Sequence, residues 1–356
     1  MYAVIMAGGV GTRFWPRSRY ERPKQFLNIL DERTMIQTTF SRLDKLISQD
    51  QIYVVTTEAY SDEVKKQLSA LKPENLILEP KGKNTAPCIG LAAIILKHKD
   101  PAAVMAVLPA DHRILREEDF RNVLSAAETI ALKKDCLVTL GIRPTYPSTG
   151  YGYIQVNSQV DEINHVPVFK VKTFAEKPDL KTAQRFIQSG DFLWNSGMFV
   201  WKVQAILKEI EESIPELYDG LMEIEKSLGK KWQAEVIKKV FCQIKSISID
   251  YGVMEQSQNV CVLKGDFDWN DVGSWDEVYK ISSKDEDENV IIGSHFAKDT
   301  KRCLIDSPYR FIAALGVEDL IIVDSGDALL ICRRDKAQDV KDLVDALKRK
   351  NLEQYL

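Results

Sequence analysis

A glycine-rich segment follows the first apolar run of the chain and carries groups suited to binding a polyphosphate. The run at 2–7 is strand-like. Three glycines and a threonine come directly after it: Gly8, Gly9, Gly11 and Thr12. Glycines let a loop turn tightly and bring backbone N–H groups against an anion. Arg13 within the loop and Lys24 further along add two cations that could flank a polyphosphate. The segment therefore predicts a phosphate-binding site.

This loop differs from two common nucleotide-binding motifs. The Walker A order, G-x-x-x-x-G-K-[ST], is absent from it. Phe14 stands where the dinucleotide-binding fingerprint, G-x-G-x-x-G, requires its last glycine. Both interpretations are excluded, whereas a glycine-rich surface turn beside ordinary charges remains as an alternative.

Two aspartates are candidate metal ligands. Asp111 follows the apolar run at 104–108, so we expect it at the carboxyl end of a strand, where open α/β sheets bind their ligands. Asp271 lies in a Trp-Asn-Asp-Val-Gly segment. A hard divalent cation such as Mg²⁺ needs only one or two carboxylates beside phosphate oxygens and water. Spacing alone leaves alternatives open, since Asp111 could cap a helix and Asp271 could be a turn residue.

Further polar residues and glycines could bind a sugar phosphate. Glu176 and Lys177 end a strand-like run, and their carboxylate and ammonium suit sugar hydroxyls and a phosphate respectively. A solvated loop is the alternative for this pair. Asn195 offers both a donor and an acceptor to a hexose, and Gly150 and Gly197 would let the backbone approach its ring.

A last group of residues could read the edge of a purine. They follow the predicted strand at 75–78 and are Glu79, Pro80, Asn84 and Thr85. Amide and hydroxyl groups in this position can donate to and accept from a base. Asn84 is also a good helix N-cap, a role compatible with base binding.

Taken together, these motifs resemble a known enzyme family. The Gly-Gly-x-Gly-Thr-Arg segment followed by Pro-Lys is the signature of sugar-phosphate nucleotidyltransferases, also called nucleotide-sugar pyrophosphorylases. Further matches follow in the family's order along essentially the whole chain, at 79–80, 84–87, 108–112, 149–154, 174–178, 194–199 and 269–275. Within the family, the pattern is most similar to the enzymes that join mannose 1-phosphate to GTP. Phe14 and Ala175 stand where leucine and valine are more usual.

The resemblance implies transfer of GMP from GTP to α-D-mannose 1-phosphate, with release of GDP-mannose and pyrophosphate. It implies Mg²⁺ or another divalent cation on Asp111 and Asp271, and a base pocket at 79–85. The catalytic roles that it implies fall on Arg13, Lys24 and Lys177. The sugar site that it implies comprises Gly150, Glu176, Asn195 and Gly197.

Two other functions remain open at this point. The shared loop defines the reaction class, so a sibling pyrophosphorylase could use another nucleoside triphosphate or another hexose 1-phosphate. A non-catalytic sensor that binds a sugar nucleotide is the alternative from a different class. The joint presence of Arg13, Lys24, Asp111 and Asp271 favours an enzyme, since a binding module does not need leaving-group and metal contacts.

The elements that must position these residues have an α/β pattern. Short apolar runs alternate with helix-period segments through the first half, as in a parallel sheet covered by helices. Mixed strands from Cys136 onward predict an antiparallel extension lying over the first half. The predicted fold is a Rossmann-like, doubly wound mixed sheet of the nucleotide-diphospho-sugar transferase type, with a small C-terminal β unit plus helix. Its predicted parts are a catalytic domain (1–281), a linker (282–289) and a β-rich domain with a terminal helix (290–356).

Composition limits the remaining possibilities. The 356 residues include 48 basic and 52 acidic side chains and are 45% hydrophobic, which excludes a disordered chain. The mixed charges and the lack of an apolar run of about eighteen residues argue against nucleic acid and membrane partners. Because Met1 leads directly into a strand, a cytoplasmic location is expected. The six cysteines are scattered and predict free, buried thiols. A homodimer is the preferred expectation.

Overall fold

The chain is shared between two units that each collect distant segments. The computed structural model describes every residue from Met1 to Leu356. Unit 1 contains Met1–Gly8, Thr39–Ala110 and Ile114–Trp269. Unit 2 contains Gly9–Thr38, Asp111–Arg113 and Asn270–Leu356. The glycine-rich loop from Gly9 onward therefore belongs to the same unit as the C-terminal strands. The predicted domain boundaries at 282–289 stay a prediction.

Strands and helices alternate through the first half of the chain. The strands, in chain order, are β1 Tyr2–Met6, β2 Ile52–Thr57, β3 Leu76–Glu79, β4 Val104–Pro109, β5 Arg113–Ile114, β6 Leu137–Ile142, β7 Tyr153–Ile163, β8 Val166–Ala175, β9 Phe192–Lys202, β10 Val260–Gly265, β11 Trp269–Asn270, β12 Val290–Lys298, β13 Leu304–Leu315, β14 Leu320–Asp324 and β15 Leu329–Arg333. The α-helices are α1 Met35–Ser41, α2 Ser61–Gln67, α3 Thr85–Lys99, α4 Glu117–Lys134, α5 Leu180–Ser189, α6 Val203–Ser213, α7 Pro215–Glu225, α8 Gln233–Gln243, α9 Trp275–Ile281 and α10 Val340–Arg349. A π-helical turn spans Asp250–Met254.

Unit 1 is built on a nine-stranded mixed sheet. Its strand order is β3-β2-β1-β4-β9-β6-β10-β8-β7. The strands β3, β2, β1 and β4 are mutually parallel, and β9 pairs antiparallel with both β4 and β6. Because the carboxyl ends of parallel strands meet at one edge, Gly8 after β1 and Glu79 at the end of β3 lie at the same edge.

The structure confirms the predicted fold class and corrects one detail. The large mixed α/β sheet and the separate C-terminal β unit with its helix are both present. The antiparallel strands do not lie over the first half, however. They continue the same sheet, because the main chain of β4 pairs along its length with β9. The sequence pattern did not identify β9, in which polar residues such as Asn195 interrupt the apolar run.

Helix α3 is the most apolar helix of unit 1, and two of the predicted base-binding residues, Asn84 and Thr85, lie at its N-terminal end. Ten of its fifteen residues are buried, so apolar side chains surround the helix and do not form a single stripe. It packs closely on α7, since a Cβ added to Gly90 would lie 2.5 Å from Cδ1 of Leu221. This packing positions Asn84 and Thr85, at the N-terminal end of α3, within unit 1.

Unit 2 contains a four-stranded sheet with the order β12-β13-β14-β15. The first three strands are parallel and β15 is antiparallel to β14. One core of this unit includes Val340 and Val344 of α10 together with Phe14 of the glycine-rich segment and Trp275 of α9. The ring centroids of Phe14 and Trp275 are 5.0 Å apart, so the loop that carries Arg13 packs against the core of unit 2.

The cysteines and the other potential metal-ligating side chains of the 356 residues form no cluster that could hold a metal ion. All six cysteines are free, and four are buried, namely Cys88, Cys136, Cys261 and Cys303. Cys242 is exposed, so the prediction of buried thiols is wrong at that position. No group of three or more His, Cys, Asp or Glu residues is arranged to hold a metal ion. None of the helices combines the length and apolar character needed to cross a lipid bilayer.

Candidate active site

Lys24 is buried in unit 2, where its ammonium group contacts both candidate metal ligands. The residue is 4% exposed. Its Nζ donates to Oδ2 of Asp111 at 2.8 Å, to the main-chain oxygen of Asp111 at 3.0 Å and to that of Asp271 at 2.7 Å. These three bonds use all three donors of the ammonium group. The structure therefore brings together three residues that the sequence assigned to phosphate and metal binding.

The Asp111 carboxylate stays ionised beside Lys24. Burial alone raises the pKa of Asp111, but the positive charges of Lys24 and His112 outweigh this effect and hold the pKa below its usual value. One third of the Asp111 side chain remains exposed. Asp111 is thus a negatively charged oxygen donor that a cation can reach.

The chain around Asp271 is strained and closely packed. Val272 has a φ of +49°, which is rare for a β-branched residue and costs conformational energy. Its backbone N–H donates to Oδ1 of Asn270 at 2.7 Å. A Cβ added to Gly273 would lie 2.9 Å from Oδ2 of Asp271, so this glycine leaves room for the carboxylate. Two carboxylates without a third ligand residue fit a hard divalent ion that takes its other ligands from phosphate and water.

Arg13 and its loop present hydrogen-bond donors without protein acceptors. The Nε of Arg13 is buried and has no hydrogen-bond partner, an arrangement that is costly unless an anion accepts the bond. The backbone N–H groups from Gly9 to Thr12 donate to no backbone carbonyl. Gly11 has a φ of +69°, and a Cβ at this position would clash with Cβ of Lys24. The loop is therefore suited to an anion, and only glycine fits at residue 11.

In unit 1, Glu79 is a buried carboxyl group beside Gly8. It is 3% exposed, and its Oε1 has no hydrogen-bond partner. Burial raises the pKa of Glu79 to about 8. A Cβ added to Gly8 would lie 3.7 Å from Oε2 of Glu79. A buried carboxyl oxygen without a hydrogen-bond partner is suited to a ligand that presents N–H groups, as a purine edge does.

Asn84 and Thr85 both have structural hydrogen bonds. Oδ1 of Asn84 accepts from the N–H of Thr85 at 2.8 Å and caps α3, as the sequence allowed. Oγ1 of Thr85 accepts from the N–H of Ile249 at 2.8 Å. Pro80 is half-buried directly after Glu79. These residues surround the end of β3, and the hydrogen bond of Thr85 joins this region to the segment before the π-helical turn.

Glu176, Lys177, Asn195 and Asp250 form a second group of contacts in unit 1, here called the Glu176 cluster. Nζ of Lys177 lies 2.8 Å from Oε1 of Glu176, and Nδ2 of Asn195 donates to Oδ1 of Asp250 at 2.7 Å. Gly197, with a φ of +68°, donates its N–H to Oδ1 of Asn195 at 3.1 Å. Lys177 has a φ of +47°, which is uncommon outside glycine. The cluster and Gly197 include four of the five residues that the sequence assigned to the sugar phosphate.

Sequence reasoning missed two residues of this cluster region, Gly152 and Asp250. A Cβ on Gly152 would clash with Oε2 of Glu176, and its carbonyl accepts from the N–H of Asn195 at 2.8 Å. Gly150, which the sequence favoured, lies in the turn before β7 and donates to Oγ of Ser148 at 3.2 Å. The available signal for Asp250 was one acid between apolar residues, which is too common to single it out.

Comparison with known proteins agrees with these features. Residues 2–288 match the nucleotidyl transferase family, and 293–347 match the MannoseP isomerase/GMP-like beta-helix domain. A mannose-1-phosphate guanylyltransferase of Escherichia coli is 40% identical over 351 residues, covering 97% of this chain and 75% of that protein. One of Salmonella muenchen is 40% identical over 357 residues, covering 99% and 74%.

A solved structure is similar over nearly its whole length. It is the crystal structure of a mannose-1-phosphate geranyltransferase from Thermus thermophilus, with a TM-score of 0.87 and 32% identity. The similarity covers 98% of this chain and 99% of that chain. On the evidence of the matched family, the relatives and the fold, the chain belongs to the mannose-1-phosphate guanylyltransferase family of nucleotidyl transferases.

Proposed function

We propose that this protein transfers GMP from GTP to α-D-mannose 1-phosphate and releases GDP-mannose and pyrophosphate. The relatives that cover almost the entire chain are mannose-1-phosphate guanylyltransferases. The structural observation that carries the proposal is the contact of the buried Lys24 ammonium with Asp111 and Asp271. It joins a cation and two candidate metal ligands beside a loop with unsatisfied donors, as nucleotidyl transfer requires.

The reaction needs charge neutralisation more than it needs a base. A phosphate oxygen of mannose 1-phosphate attacks the α-phosphorus of GTP in line. The bond from this phosphorus to the leaving pyrophosphate oxygen breaks as the new P–O bond forms. The attacking phosphate is already ionised, so no general base is required. Like charges about 4 Å apart repel by about 4 kcal/mol per pair at an effective dielectric near 20, so fixed cations must offset this repulsion.

Arg13, Lys24 and the loop amides are assigned to the triphosphate. The unpartnered Nε of Arg13 and the N–H groups from Gly9 to Thr12 are supporting observations, because both are satisfied when phosphate oxygens accept from them. Gly8 completes this loop. Arg13 holds the pyrophosphate, and Lys24, whose three N–H groups bond to Asp111 and Asp271, stabilises through its positive charge the negative charge that develops on the pyrophosphate as it leaves.

Asp111 and Asp271 are assigned to the metal ion. Nucleotidyltransferases of this family generally use a divalent metal. We favour Mg²⁺, because two carboxylates and phosphate oxygens are the hard donors that it prefers. When bound, it supplies positive charge to the phosphate oxygens and polarises them. Lys24 holds the main-chain oxygens of both aspartates in place by donating hydrogen bonds to them.

The Glu176 cluster is assigned to mannose 1-phosphate. Lys177 is half-exposed and can bind the sugar phosphate, while Glu176 and Asn195 offer acceptors and a donor to hydroxyl groups. Gly150 and Gly197 stay in this assignment as positions where the backbone approaches the ring. A site of this kind rejects sugars that lack a matching hydroxyl, because its own polar groups are then left unpaired.

Glu79 and its neighbours are assigned to the guanine base. Guanine presents two adjacent N–H donors, and the unpartnered Oε1 of Glu79 can accept from one of them. Pro80 and the capped N-terminus of α3 at Asn84 and Thr85 would form the rest of the pocket.

Pyrophosphate release on mixing substrates tests the function. The purified protein is incubated with Mg²⁺, one of several nucleoside triphosphates and one of several hexose 1-phosphates. The proposal expects the highest kcat/KM for GTP with mannose 1-phosphate. A higher value for another pair would indicate a sibling pyrophosphorylase, and binding of GDP-mannose without any pyrophosphate release would indicate a sensor. The homodimer and the cytoplasmic location remain predictions, to be measured by sedimentation and by cell fractionation.

A further inference from the structure

Asp250 is a half-buried carboxylate that the proposed reaction does not yet use. It is the first residue of the π-helical turn Asp250–Met254, a rare backbone form that is frequent at functional sites. The residue before it, Ile249, donates its N–H to Oγ1 of Thr85 at 2.8 Å. Asp250 is therefore held in place from the base-pocket side of unit 1 as well as by its own turn.

The side chain of Asp250 contributes to the orientation of the Asn195 amide. Asn195 accepts two hydrogen bonds at Oδ1, from the N–H of Gly197 at 3.1 Å and from Oγ1 of Thr139 at 3.3 Å. Its Nδ2 donates one to Asp250 at 2.7 Å. A side-chain amide has two acceptor positions and two donor hydrogens, so three of the four are used and one N–H remains for a ligand.

The Asp250 carboxylate has one side-chain hydrogen-bond donor, Asn195, and a second negative charge near it. Burial, and then the negative charge of Glu176, raise the pKa of Asp250 to about 6, against the hydrogen bonds from Asn195 and from its own backbone and the charge of Lys177. Lys177 is paired with Glu176 at 2.8 Å and is half-exposed. Glu255 lies near Glu176 and adds another carboxylate. Asp250 thus has an oxygen that would gain from a neutral hydroxyl donor.

We propose that Asp250 is a sugar-specificity residue, whose carboxylate orients the Asn195 amide and accepts a hydrogen bond from one hydroxyl group of the pyranose ring. The inference rests on the proposed assignment of the Glu176 cluster to mannose 1-phosphate. Two carboxylates and one amide N–H would then bind adjacent hydroxyl groups, and Lys177, which is half-exposed beside Glu176, would bind the phosphate.

The isosteric Asp250→Asn separates the two parts of this role. In that variant an amide oxygen can still accept from Asn195, so the orientation of Asn195 is kept. The second carboxylate oxygen is replaced by an N–H donor, so the acceptor for the sugar hydroxyl is lost. Asp250→Ala removes both functions and is the second variant. Asp219→Asn, which removes an exposed carboxylate from α7 of the same unit, is the matched control.

The experiment measures KM and kcat/KM for mannose 1-phosphate and for its four monodeoxy analogues at positions 2, 3, 4 and 6. We expect Asp250→Asn to raise KM for mannose 1-phosphate about 10-fold, the usual effect of one lost hydrogen bond to a charged group, with KM for GTP within about twofold of wild type. For one of the four analogues, wild type should have a higher KM than for mannose 1-phosphate, and Asp250→Asn should not raise the KM for that analogue further. Asp219→Asn should match wild type throughout.

A double-variant series distinguishes direct contact from action through Asn195 alone. In an Asn195→Ala background, Asp250→Ala should still raise KM for mannose 1-phosphate severalfold if Asp250 contacts the sugar. No added effect in that background, or an unchanged deoxy profile in Asp250→Asn, would overturn the inference while leaving the sugar site intact. If Glu176→Gln and Asn195→Ala also leave KM for mannose 1-phosphate unchanged, the sugar-site assignment itself fails and the inference with it.

Discussion

The ammonium nitrogen of Lys24 lies 2.8 Å from Oδ2 of Asp111, in an ion pair that is almost closed to solvent on the lysine side. The cation proposed to stabilise the charge of the leaving group is thus bound to the carboxylate proposed to hold the metal. This pair compensates the buried charge of Lys24 in the ligand-free protein. It also predicts that the two residues affect stability and turnover together.

Removal of the Lys24 ammonium should abolish most turnover. We expect Lys24→Ala to lower kcat by roughly 10²-fold or more, since a fixed charge that stabilises the transition state is lost. Arg13→Ala should have an effect of similar size for the same reason. Pyrophosphate release at saturating substrate gives kcat, and Lys348→Ala, which removes an exposed ammonium from α10, is the control. Wild-type turnover in either variant would exclude that residue from leaving-group stabilisation.

Substitution of the two aspartates should have different effects on protein stability and the same effect on the Mg²⁺ requirement. Asp111→Asn weakens the ion pair of Lys24, whereas Asp271→Asn keeps the main-chain oxygen to which Lys24 donates. We expect a loss of about 1–3 kcal/mol of unfolding free energy in the first variant and a smaller loss in the second. Both should raise the Mg²⁺ concentration for half-maximal activity by about 10-fold or more. Thermal denaturation and Mg²⁺ titration measure the two effects, and an unchanged Mg²⁺ requirement would exclude that aspartate as a ligand.

Two glycines of the same loop should respond differently to an added methyl group. Gly11 has a φ of +69° and contacts Lys24, so Gly11→Ala should displace Lys24 and weaken GTP binding about 10-fold or more. Nothing lies within 4 Å of a Cβ added to Gly9, and its φ is not positive, so Gly9→Ala provides the matched control. Isothermal titration with GTP measures both. Equal affinities in the two variants would show that the fit of Gly11 against Lys24 is unimportant for the nucleotide.

Lys177 should act on the sugar phosphate and not on GTP. Its ammonium is paired with Glu176 in unit 1 and remains half-exposed, so a dianionic phosphate can reach it. We expect Lys177→Ala to raise KM for mannose 1-phosphate by about 10-fold or more, with a smaller change in KM for GTP. Lys181→Ala, an exposed lysine at the start of α5, is the control. A change confined to GTP would show that Lys177 serves the other substrate.

Glu79 should make the ligand-free protein less stable as the pH rises. Its pKa is about 8 in the folded chain and 4.5 ordinarily, so between these values the unfolded chain ionises while the folded chain stays protonated. Unfolding then releases a proton, and stability falls by about 1.4 kcal/mol per pH unit across this window and levels off above pH 8. Glu79→Gln removes this contribution.

Thermal denaturation at pH 5 and pH 8 tests the contribution of Glu79. The denaturation temperature of Glu79→Gln minus that of wild type should be larger at pH 8 than at pH 5. Glu74→Gln, at an exposed position just before β3, should show no such increase. A difference between Glu79→Gln and wild type that is independent of pH would mean that Glu79 is ionised in the folded protein.

The resemblance to a known family implied the reaction class, and the amino-acid sequence itself determined the alternation of strands and helices and the loop with its arginine and lysine. These features depend on neighbouring residues, because apolar periodicity, glycine content and capping residues act over a few positions along the chain. The N-cap at Asn84 and the strand before Asp111 were predictable for this reason. Strand β9 was not, since the polar residues around Asn195 hide its pattern.

Only the tertiary structure decided which distant residues share a contact. Lys24 meets Asp111 across 87 positions and Asp271 across 247, and Asn195 meets Asp250 across 55. Such contacts follow from the order of strands in a sheet and from the return of the chain to each unit, which no local pattern encodes. The requirement for glycine at Gly152 has the same origin. A Cβ there would clash with Glu176, and only the tertiary structure places these two residues side by side.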